Sequence, residues 1–360
     1  MDDPSGVKEW NPPQIAADIR IVQKFTPVPT STLLWQAVQP SQTCLQKASH
    51  PVMHAKLVFL AGGARGAVTG RSPAVTCVDA RSVGACARQG LALGVDKLLI
   101  DGVGSDNIGT RTWQEVEERR RAWWAVLMLD RFSSLSNPAR PLSTEDPPFD
   151  AFLPVDDAVW DDWSSAPGDS IRFSASFNLK MGSFARLAQA THLLSQALRS
   201  ISLSVSESDV TQADETAQLR RTLLALVSVA DKEATVRKLE YCAPSALSLS
   251  AILLLEENKP HQDNPRDDLN SPWLSFESLW SESRTALNRL SAAAVSYSAT
   301  CPAVPDAPHI VPIFLIHVMY QVVSILLRIS QGSLNGDIRD QISSIRHFLE
   351  QIAVRWRLGG

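Results

Sequence analysis

The feature that most constrains the fold is the stretch from Thr112 to Pro138, TWQEVEERRRAWWAVLMLDRFSSLSNP. Thr112 followed by Glu115 has the spacing of a capping box, which predicts the start of a helix. Pro138 predicts its end, because proline lacks an amide donor and clashes with the preceding turn. The helix would run for about 25 residues, or roughly 37 Å at 1.5 Å per residue. Because residues 122–129 are all apolar, we expect it to be central and buried on every side.

The charged residues of this helix also need partners. Acids and bases four residues apart predict ion pairs on the helix surface, at Glu115–Arg119 and Glu117–Arg121. The basic run 119–121 has the composition of a localisation signal or a phosphate-binding patch. The neighbouring glutamates favour a solvated helical turn instead. Arg120 and Asp130 fall near the apolar side, so we expect both to be paired, since an unpaired buried charge is very costly.

Helical periodicity recurs along most of the chain, and no segment alternates convincingly at period two. A small-residue helix with apolar positions at Cys86, Leu91 and Leu93 is expected to end at Gly94 in a left-handed turn. Further helical patterns cover residues 176–201, 216–236, 242–258, 275–299, 310–327 and 337–356. The Pro-rich residues 140–163 predict a long loop whose aromatic side chains anchor it to the helices, or an acidic–aromatic activation segment. The fold class predicted is therefore all-α, a multi-helix domain with long connecting loops.

The domain organisation predicted is a poorly structured segment, residues 1–50, followed by one all-α domain, residues 51–360. The first segment is punctuated by Pro, Ser and Thr and shows little periodicity. Residues 310–327 approach the length of a membrane span, but polar interruptions such as His317 and Gln321 favour a helix buried in protein. The last helix has an apolar stripe at Ile338, Ile342, Ile345, Leu349, Ile352 and Trp356.

Composition narrows the class of protein. A formal net charge of −4 provides no strong field for DNA, RNA or anionic lipid. None of the five cysteines forms a Cys-x-x-Cys pair, which favours free thiols in a reduced intracellular compartment. The N-terminus lacks a basic region followed by an apolar core, so we expect no signal peptide.

No catalytic, cofactor-binding or metal-binding residue is predicted. The acidic cluster DDAVWDD, with Asp156, Asp157, Asp161 and Asp162, fails the Asp-Asp-x-x-Asp spacing of magnesium-dependent prenyl diphosphate enzymes, and a solvated loop is favoured. His50 and His54 are four apart, but Pro51 disfavours a helix there. Glycines 62, 63, 66 and 70 match neither phosphate-loop nor dinucleotide spacing. Cys77 and Cys86 are expected to act as small buried hydrophobes.

Two quoted segments carry a family resemblance. RSVGACARQGLALGVDK resembles the small-residue helix of the fungal-specific transcription factor domain, the middle homology region of zinc binuclear cluster regulators. EERRRAWWAVLMLDRFSSLSNPARPLSTEDPPFDAFLPVDDAVW resembles the signature that follows it. The two together span about residues 75–165, and the resemblance as a whole covers roughly residues 75–330. The matching residues are Glu118, Arg120, Arg121, Trp123, Trp124, Leu129, Asp130, Arg131, Arg140, Pro141, Asp150, Leu153 and Pro154. Ala139 replaces the glycine that usually precedes Arg-Pro.

The resemblance implies an all-α, nuclear, regulatory domain that is not an enzyme. It implies other transcription factors or coactivators as partners, homo- or heterodimers, no membrane, and a role in a pathway such as secondary metabolism. The family's DNA reader is a six-cysteine module that holds two zinc ions, and residues 1–110 lack that spacing. DNA contact is therefore expected to be indirect, or through a missing N-terminal module.

Two alternatives remain open. The chain could be a co-regulator that does not bind DNA and partners a zinc-cluster factor through the 338–356 stripe. It could instead be an all-α magnesium-dependent prenyl diphosphate enzyme, which the failed aspartate spacing disfavours.

Overall fold

The structure is a computed structural model, and it describes residues 80–100, 112–135, 137–162, 171–174, 181–204, 210–237, 242–258, 314–315, 317–319, 321–323, 339–340 and 342–346. The expectations for residues 1–50 and for the helix at 275–299 lie outside these ranges, as do His50, His54, Cys77 and the four glycines at 62–70.

Helices account for 78% of the described chain, and these residues form no sheet. Helix α1 spans Ala80–Ala92 and is followed by a 3-10 turn at Asp96–Leu99. Helices α2 to α6 span Trp113–Ser134, Asp157–Asp162, Ser183–Ser204, Val210–Arg237 and Cys242–Glu257. Extended pairing within the described residues is limited to one antiparallel bridge between Phe152 and Arg172. The all-α prediction is confirmed.

Helix α1 ends as its sequence predicted. Gly94 adopts a φ of 62°, which an L-residue with a side chain rarely takes. The amide of Val95 donates to the carbonyl of Gly90 and that of Gly94 to the carbonyl of Leu91, which is a Schellman cap. The expected apolar positions were only partly right: Cys86 is buried, whereas Leu91 and Leu93 are about half exposed.

Helix α2 is the buried central helix that the sequence predicted. Its capping box is complete, because Thr112 Oγ1 accepts from the Glu115 amide and Glu115 Oε2 accepts from the Thr112 amide. Every residue from Arg120 to Leu135 is buried. The helix is 22 residues long and ends at Ser134, four residues before Pro138. At this end of the helix, Ser133 and Ser134 donate their hydroxyls to the Asp130 carbonyl, which also accepts from Arg140.

The core forms where α6 packs against α4 and α5, while α2 packs against α1 and α4. Residues 314–315, 317–319 and 321–323 are helical and buried in the same core, in agreement with the buried helix predicted at 310–327. Phe132 of α2 meets Phe314 edge to face, with 5.0 Å between ring centroids. No helix within the described residues is long and apolar enough to cross a membrane.

The apolar stripe of the last helix faces this chain's own core at the positions that are described. Ile345 is 7% exposed and belongs to the main core, and Ile342 packs against that core. The hypothesis that the stripe is a free partner-binding face is therefore wrong at Ile345. Its members at 338, 349, 352 and 356 lie outside the described ranges.

Candidate functional site

The first group of interest is a buried ionic cluster in the N-terminal half of α2, formed by Glu117, Arg120 and Arg121. Glu117 Oε2 accepts from Arg120 Nη1 at 2.9 Å and its Oε1 accepts from Arg121 Nε at 3.0 Å. All three side chains are at most 2% exposed. We call this group the N-terminal cluster.

The N-terminal cluster fastens a distant segment of backbone to α2. Glu117 Oε1 accepts from the Val155 amide at 2.8 Å, and Arg121 Nη2 donates to the Val155 carbonyl at 2.8 Å. Arg121 Nη2 also donates to Asp157 Oδ1 at 3.0 Å, and Arg120 Nε donates to the Leu98 carbonyl at 3.4 Å. One helical turn therefore holds both the 3-10 turn and the start of α3.

This cluster corrects the expectation of a solvated helical turn. The Glu117–Arg121 pair exists, but it is buried rather than on the surface. Aromatic rings cover its cations: the Arg121 guanidinium lies 5.0 Å from the Trp160 ring and 5.2 Å from the Phe184 ring. Arg120 lies 5.3 Å from the Phe152 ring. The basic run is thus enclosed by this chain and does not offer Arg120 or Arg121 to a phosphate or a transport receptor.

The second group lies at the C-terminal end of α2 and is centred on Asp130. We call Asp130, Arg131, Arg140, Thr144 and Asp146 the C-terminal cluster. Asp130 is fully buried, and its Oδ1 accepts from Arg140 Nη2 at 2.9 Å. Its Oδ2 accepts from the amide and hydroxyl of Thr144, at 2.9 and 2.8 Å, and from Arg131 Nη1 at 3.3 Å. The expectation that Arg120 and Asp130 each have a charged partner is confirmed: Arg120 pairs with Glu117, and Asp130 pairs with Arg140.

Arg131 connects this cluster to two parts of the chain. Its Nη2 donates to the carbonyls of Thr144 and Glu145, at 3.1 and 3.0 Å, and to Asp146 Oδ1 at 2.9 Å. On its other side Nε donates to Ser195 Oγ of α4 at 2.8 Å. Burial lowers the pKa of Arg131 to about 10, which still leaves the guanidinium charged at neutral pH.

Between the two clusters, tryptophans and apolar side chains hold the middle of the 137–162 segment. Trp124 is fully buried, and its Nε1 donates to the Phe152 carbonyl at 3.1 Å. Phe152, Leu153 and Trp160 are buried, so the expected anchoring by aromatic residues is confirmed at Phe152 and Trp160. Phe149 is the exception, with 70% of its side chain exposed. The 137–162 segment is consequently a strap fixed to α2 at both ends and in the middle.

The acidic cluster also takes part in this fastening. Asp157–Asp162 of this cluster form helix α3, which corrects the expectation of a solvated loop. Asp157 Oδ1 is paired with Arg121, and its Oδ2 accepts from the Phe184 amide at 3.4 Å. Asp156 Oδ1 accepts from the Ala158 amide. Within the described residues no group of three His, Cys, Asp or Glu side chains is arranged to hold a metal ion.

The described core also contains two buried thiols and a further buried arginine. Burial raises the pKa of the Cys86 thiol, and it raises that of Cys242 to about 12, so both thiols stay protonated at neutral pH. Cys86 is a buried small hydrophobe, as expected. A buried arginine that sequence reasoning missed, Arg186, makes two bonds of 3.0 and 2.9 Å to Glu233 and fixes α4 to α5. These residues are 47 apart, so no local spacing revealed the pair.

The residues of the sequence signature therefore fall into one structural unit. Leu129, Leu153 and Pro154 are buried beside the two clusters, and Glu118 is half-buried. Pro141 and Asp150 are exposed and lie outside the ionic contacts of the clusters, with Asp150 only 3.9 Å from the equally exposed Arg172. The unit is a helix enclosed by a strap, and its charged groups bind backbone and one another.

Residues 87–240 match a family model described as the fungal specific transcription factor domain. Searches of curated proteins and of solved structures each returned no match. The matched range contains helices α2 to α5, the strap and both clusters. Over residues 87–240 the chain is therefore similar to a domain of the fungal transcription regulators, which is a regulatory family.

Proposed function

We propose that this chain is a nuclear regulator of a fungal metabolic gene cluster, of the kind that serves secondary metabolism. Its helical domain controls a zinc-cluster DNA reader, which is joined to it or supplied by a partner. The partners proposed are other transcription factors or coactivators, in a homo- or heterodimer. The observation that supports this most directly is the regulatory family match over residues 87–240.

The chemistry of the site agrees with a role without catalysis. The charged groups of the two clusters are engaged by backbone amides, carbonyls and opposite charges, and such groups position chain segments. The side chain of Arg131, on α2, binds both the strap and α4. A domain built in this way can pass the state of one segment to another because the segments share their charge partners.

The first experiment deletes the gene in its source cell and compares transcripts with those of the parent strain. We expect the loss of a set of transcripts from neighbouring metabolic genes, and restoration by the wild-type gene. A fluorescent fusion of the full chain is expected to concentrate in the nucleus. Unchanged transcripts under conditions that express the chain would refute the proposal.

Two variants test whether transcript levels depend on the C-terminal cluster. Asp130→Asn removes the charge at the centre of the C-terminal cluster, whereas Asp150→Asn alters an exposed carboxylate of the same strap. We expect Asp150→Asn to restore the transcripts and Asp130→Asn to fail. Immunoblotting of both strains establishes whether the failure reflects reduced abundance or an inactive protein.

A further inference from the structure

Ser143 stands out among the hydroxyl groups of the strap because it is exposed while its surroundings are fixed. Its residue is exposed, and the chain around it forms no helix or strand. Its amide donates to Asp130 Oδ2 at 2.8 Å, so the position of the backbone is set by the C-terminal cluster. The neighbouring Thr144 is buried and its hydroxyl is already bonded.

The guanidinium of Arg88, on α1, lies near this hydroxyl. A Cβ atom placed on Gly84 would lie 3.4 Å from Ser143 Oγ and 3.5 Å from Arg88 Nη1. The hydroxyl and the guanidinium are therefore no farther apart than the sum of these two distances. Arg88 is exposed, and no described residue accepts a hydrogen bond from its guanidinium. Since Gly84 has no side chain, no Cβ atom occupies the gap between the two groups.

The local charges favour an added anion at this position. Asp130, which accepts from the Ser143 amide, is bound by both Arg131 and Arg140. Asp146 is likewise shared by Arg131 and Arg199. Arg88 adds a further positive charge that these carboxylates do not balance. A phosphoryl group carries about −1.5 to −2 charges at pH 7 and stabilises a structure when it meets arginines.

The sequence after Ser143 suits a particular kind of enzyme. Glu145 and Asp146 place carboxylates two and three residues after the serine, a pattern that complements a kinase with a basic substrate groove. The strap must open locally before a kinase can bind it, because Asp130 and Arg131 hold its backbone. Modification is therefore expected to be slower in the folded chain than in a free peptide.

We propose that Ser143 is a phosphorylation site for an acid-directed protein kinase and that Arg88 receives the phosphate. In the reaction Ser143 Oγ attacks the γ-phosphorus of ATP, the bond to the β-phosphate oxygen breaks, ADP leaves, and the hydroxyl proton passes to the base of the kinase. A charge-assisted hydrogen bond of about 2.8 Å then reaches Arg88, whose exposed side chain adjusts its rotamer. The phosphate joins α1 to the strap, two elements that the clusters leave unconnected by charge.

The test treats the full chain with casein kinase II and ATP and measures phosphate on Ser143 by mass spectrometry. We expect incorporation at Ser143 and none there in Ser143→Ala, with Ser344→Ala as a control at another exposed serine. Phosphorylation should raise the Tm by about 2–4 °C, and 1 M salt should remove most of this rise because the Debye length falls to about 3 Å.

Arg88→Gln tests whether the phosphate on Ser143 binds Arg88 or only modifies an exposed serine. This variant should have the Tm of the wild type before phosphorylation and should lose the rise afterwards. A synthetic peptide of residues 137–150 shows that the kinase recognises the sequence. The proposal is overturned if the peptide is not phosphorylated, if the folded chain is not, or if the rise in Tm is absent or unchanged in Arg88→Gln.

Discussion

Gly90 and Trp123 pack so closely that no side chain fits at position 90 while the Trp123 ring stays in place. A Cβ on Gly90 would lie 2.6 Å from Cζ3 of Trp123, inside the normal contact distance. Trp123 is 5% exposed, so its ring fills the space that the missing side chain leaves. The small residues of α1 thus have a packing role that their sequence pattern alone did not reveal.

We predict that Trp123→Ala lowers the free energy of unfolding by about 3–5 kcal/mol, the usual loss for a buried aromatic residue. Gly90→Ala should cost about 1–3 kcal/mol in the wild type through overpacking, and little or nothing when Trp123 is already alanine. Urea unfolding of both single variants and the double variant measures this coupling. Additive effects would show that the two residues do not meet, and a neutral Trp123→Ala would place that ring against solvent or a partner.

The Asp130 carboxylate accepts more hydrogen bonds than a neutral side chain of the same shape could accept. Asparagine has one carbonyl oxygen and cannot accept at its amide nitrogen, so Asp130→Asn leaves buried donors of Arg131 and Thr144 without an acceptor. We expect a loss of about 3–5 kcal/mol, as for other broken buried ion pairs.

The exposed pair of Asp150 and Arg172 provides the matched comparison. Asp150→Asn should change the unfolding free energy by about 0.5 kcal/mol or less. Chemical denaturation of the two variants at the same pH and salt concentration gives the difference. Equal losses would mean that the C-terminal cluster contributes no more than a surface contact.

At the scale of elements, sequence reasoning succeeded where the determining interactions are local. Thr112 and Glu115 marked the start of α2 because both partners lie within one turn, and Gly94 marked the end of α1 for the same reason. The same reasoning placed Glu117–Arg121 on the surface, because its spacing is identical to that of Glu115–Arg119. The pair is buried because the chain around Val155, 38 residues from Glu117, packs over it, and no local pattern contains that information.

The charge network of the candidate site was therefore predicted only in part. The family resemblance selected Arg120, Arg121, Asp130, Arg131 and Arg140, and helical geometry indicated that Arg120 and Asp130 need partners. Several of their actual partners are backbone groups of the strap, at Ser143, Thr144, Glu145 and Val155. Every residue has such groups, so the sequence offers no signal that singles out the ones that are used.

The last helix permits a direct test of which surface its apolar stripe serves. Ile345→Asp should destabilise the whole chain, because Ile345 lies in the main core and an unpaired charge there is very costly. Ser344→Asp places the same charge on the adjacent exposed position and should leave the Tm nearly unchanged.

Thermal unfolding of both variants gives the answer. If Ile345→Asp unfolds at the wild-type temperature but no longer binds another regulator, the stripe is an interaction surface after all.

For the molecule as a whole, two buried histidines make stability depend on pH. Burial lowers the pKa of His192 and of His317 to about 4, below the 6.5 of an unfolded chain. The unfolded state therefore binds more protons between these values, and stability falls as pH decreases from about 6.5 to about 4. Glu118 acts in the opposite direction, since burial raises its pKa to about 7 and the folded state keeps its proton longer.

His317→Leu isolates one of these contributions, because the ring nitrogens of His317 have no hydrogen-bond partner among the described residues. Between pH 6.5 and pH 5 the variant should gain up to roughly 2 kcal/mol of stability relative to the wild type. Urea unfolding of the variant and the wild type at both pH values measures the difference in their free energies of unfolding. The contributions of the other titrating groups cancel in that difference. A constant difference across this range would mean that His317 is protonated in the folded state or titrates as it does in the unfolded chain.

The strap also has a consequence for synthesis on the ribosome. Arg131 leaves the ribosome before every partner that it binds outside α2, and Ser195 follows it by 64 residues. At about 5–20 residues per second this interval lasts roughly 3–13 s. During that time the nascent chain contains an apolar helix whose packing partner α4 is not yet complete. The same long-range pairing that encloses α2 in the finished protein makes the unfinished one a natural substrate for chaperones.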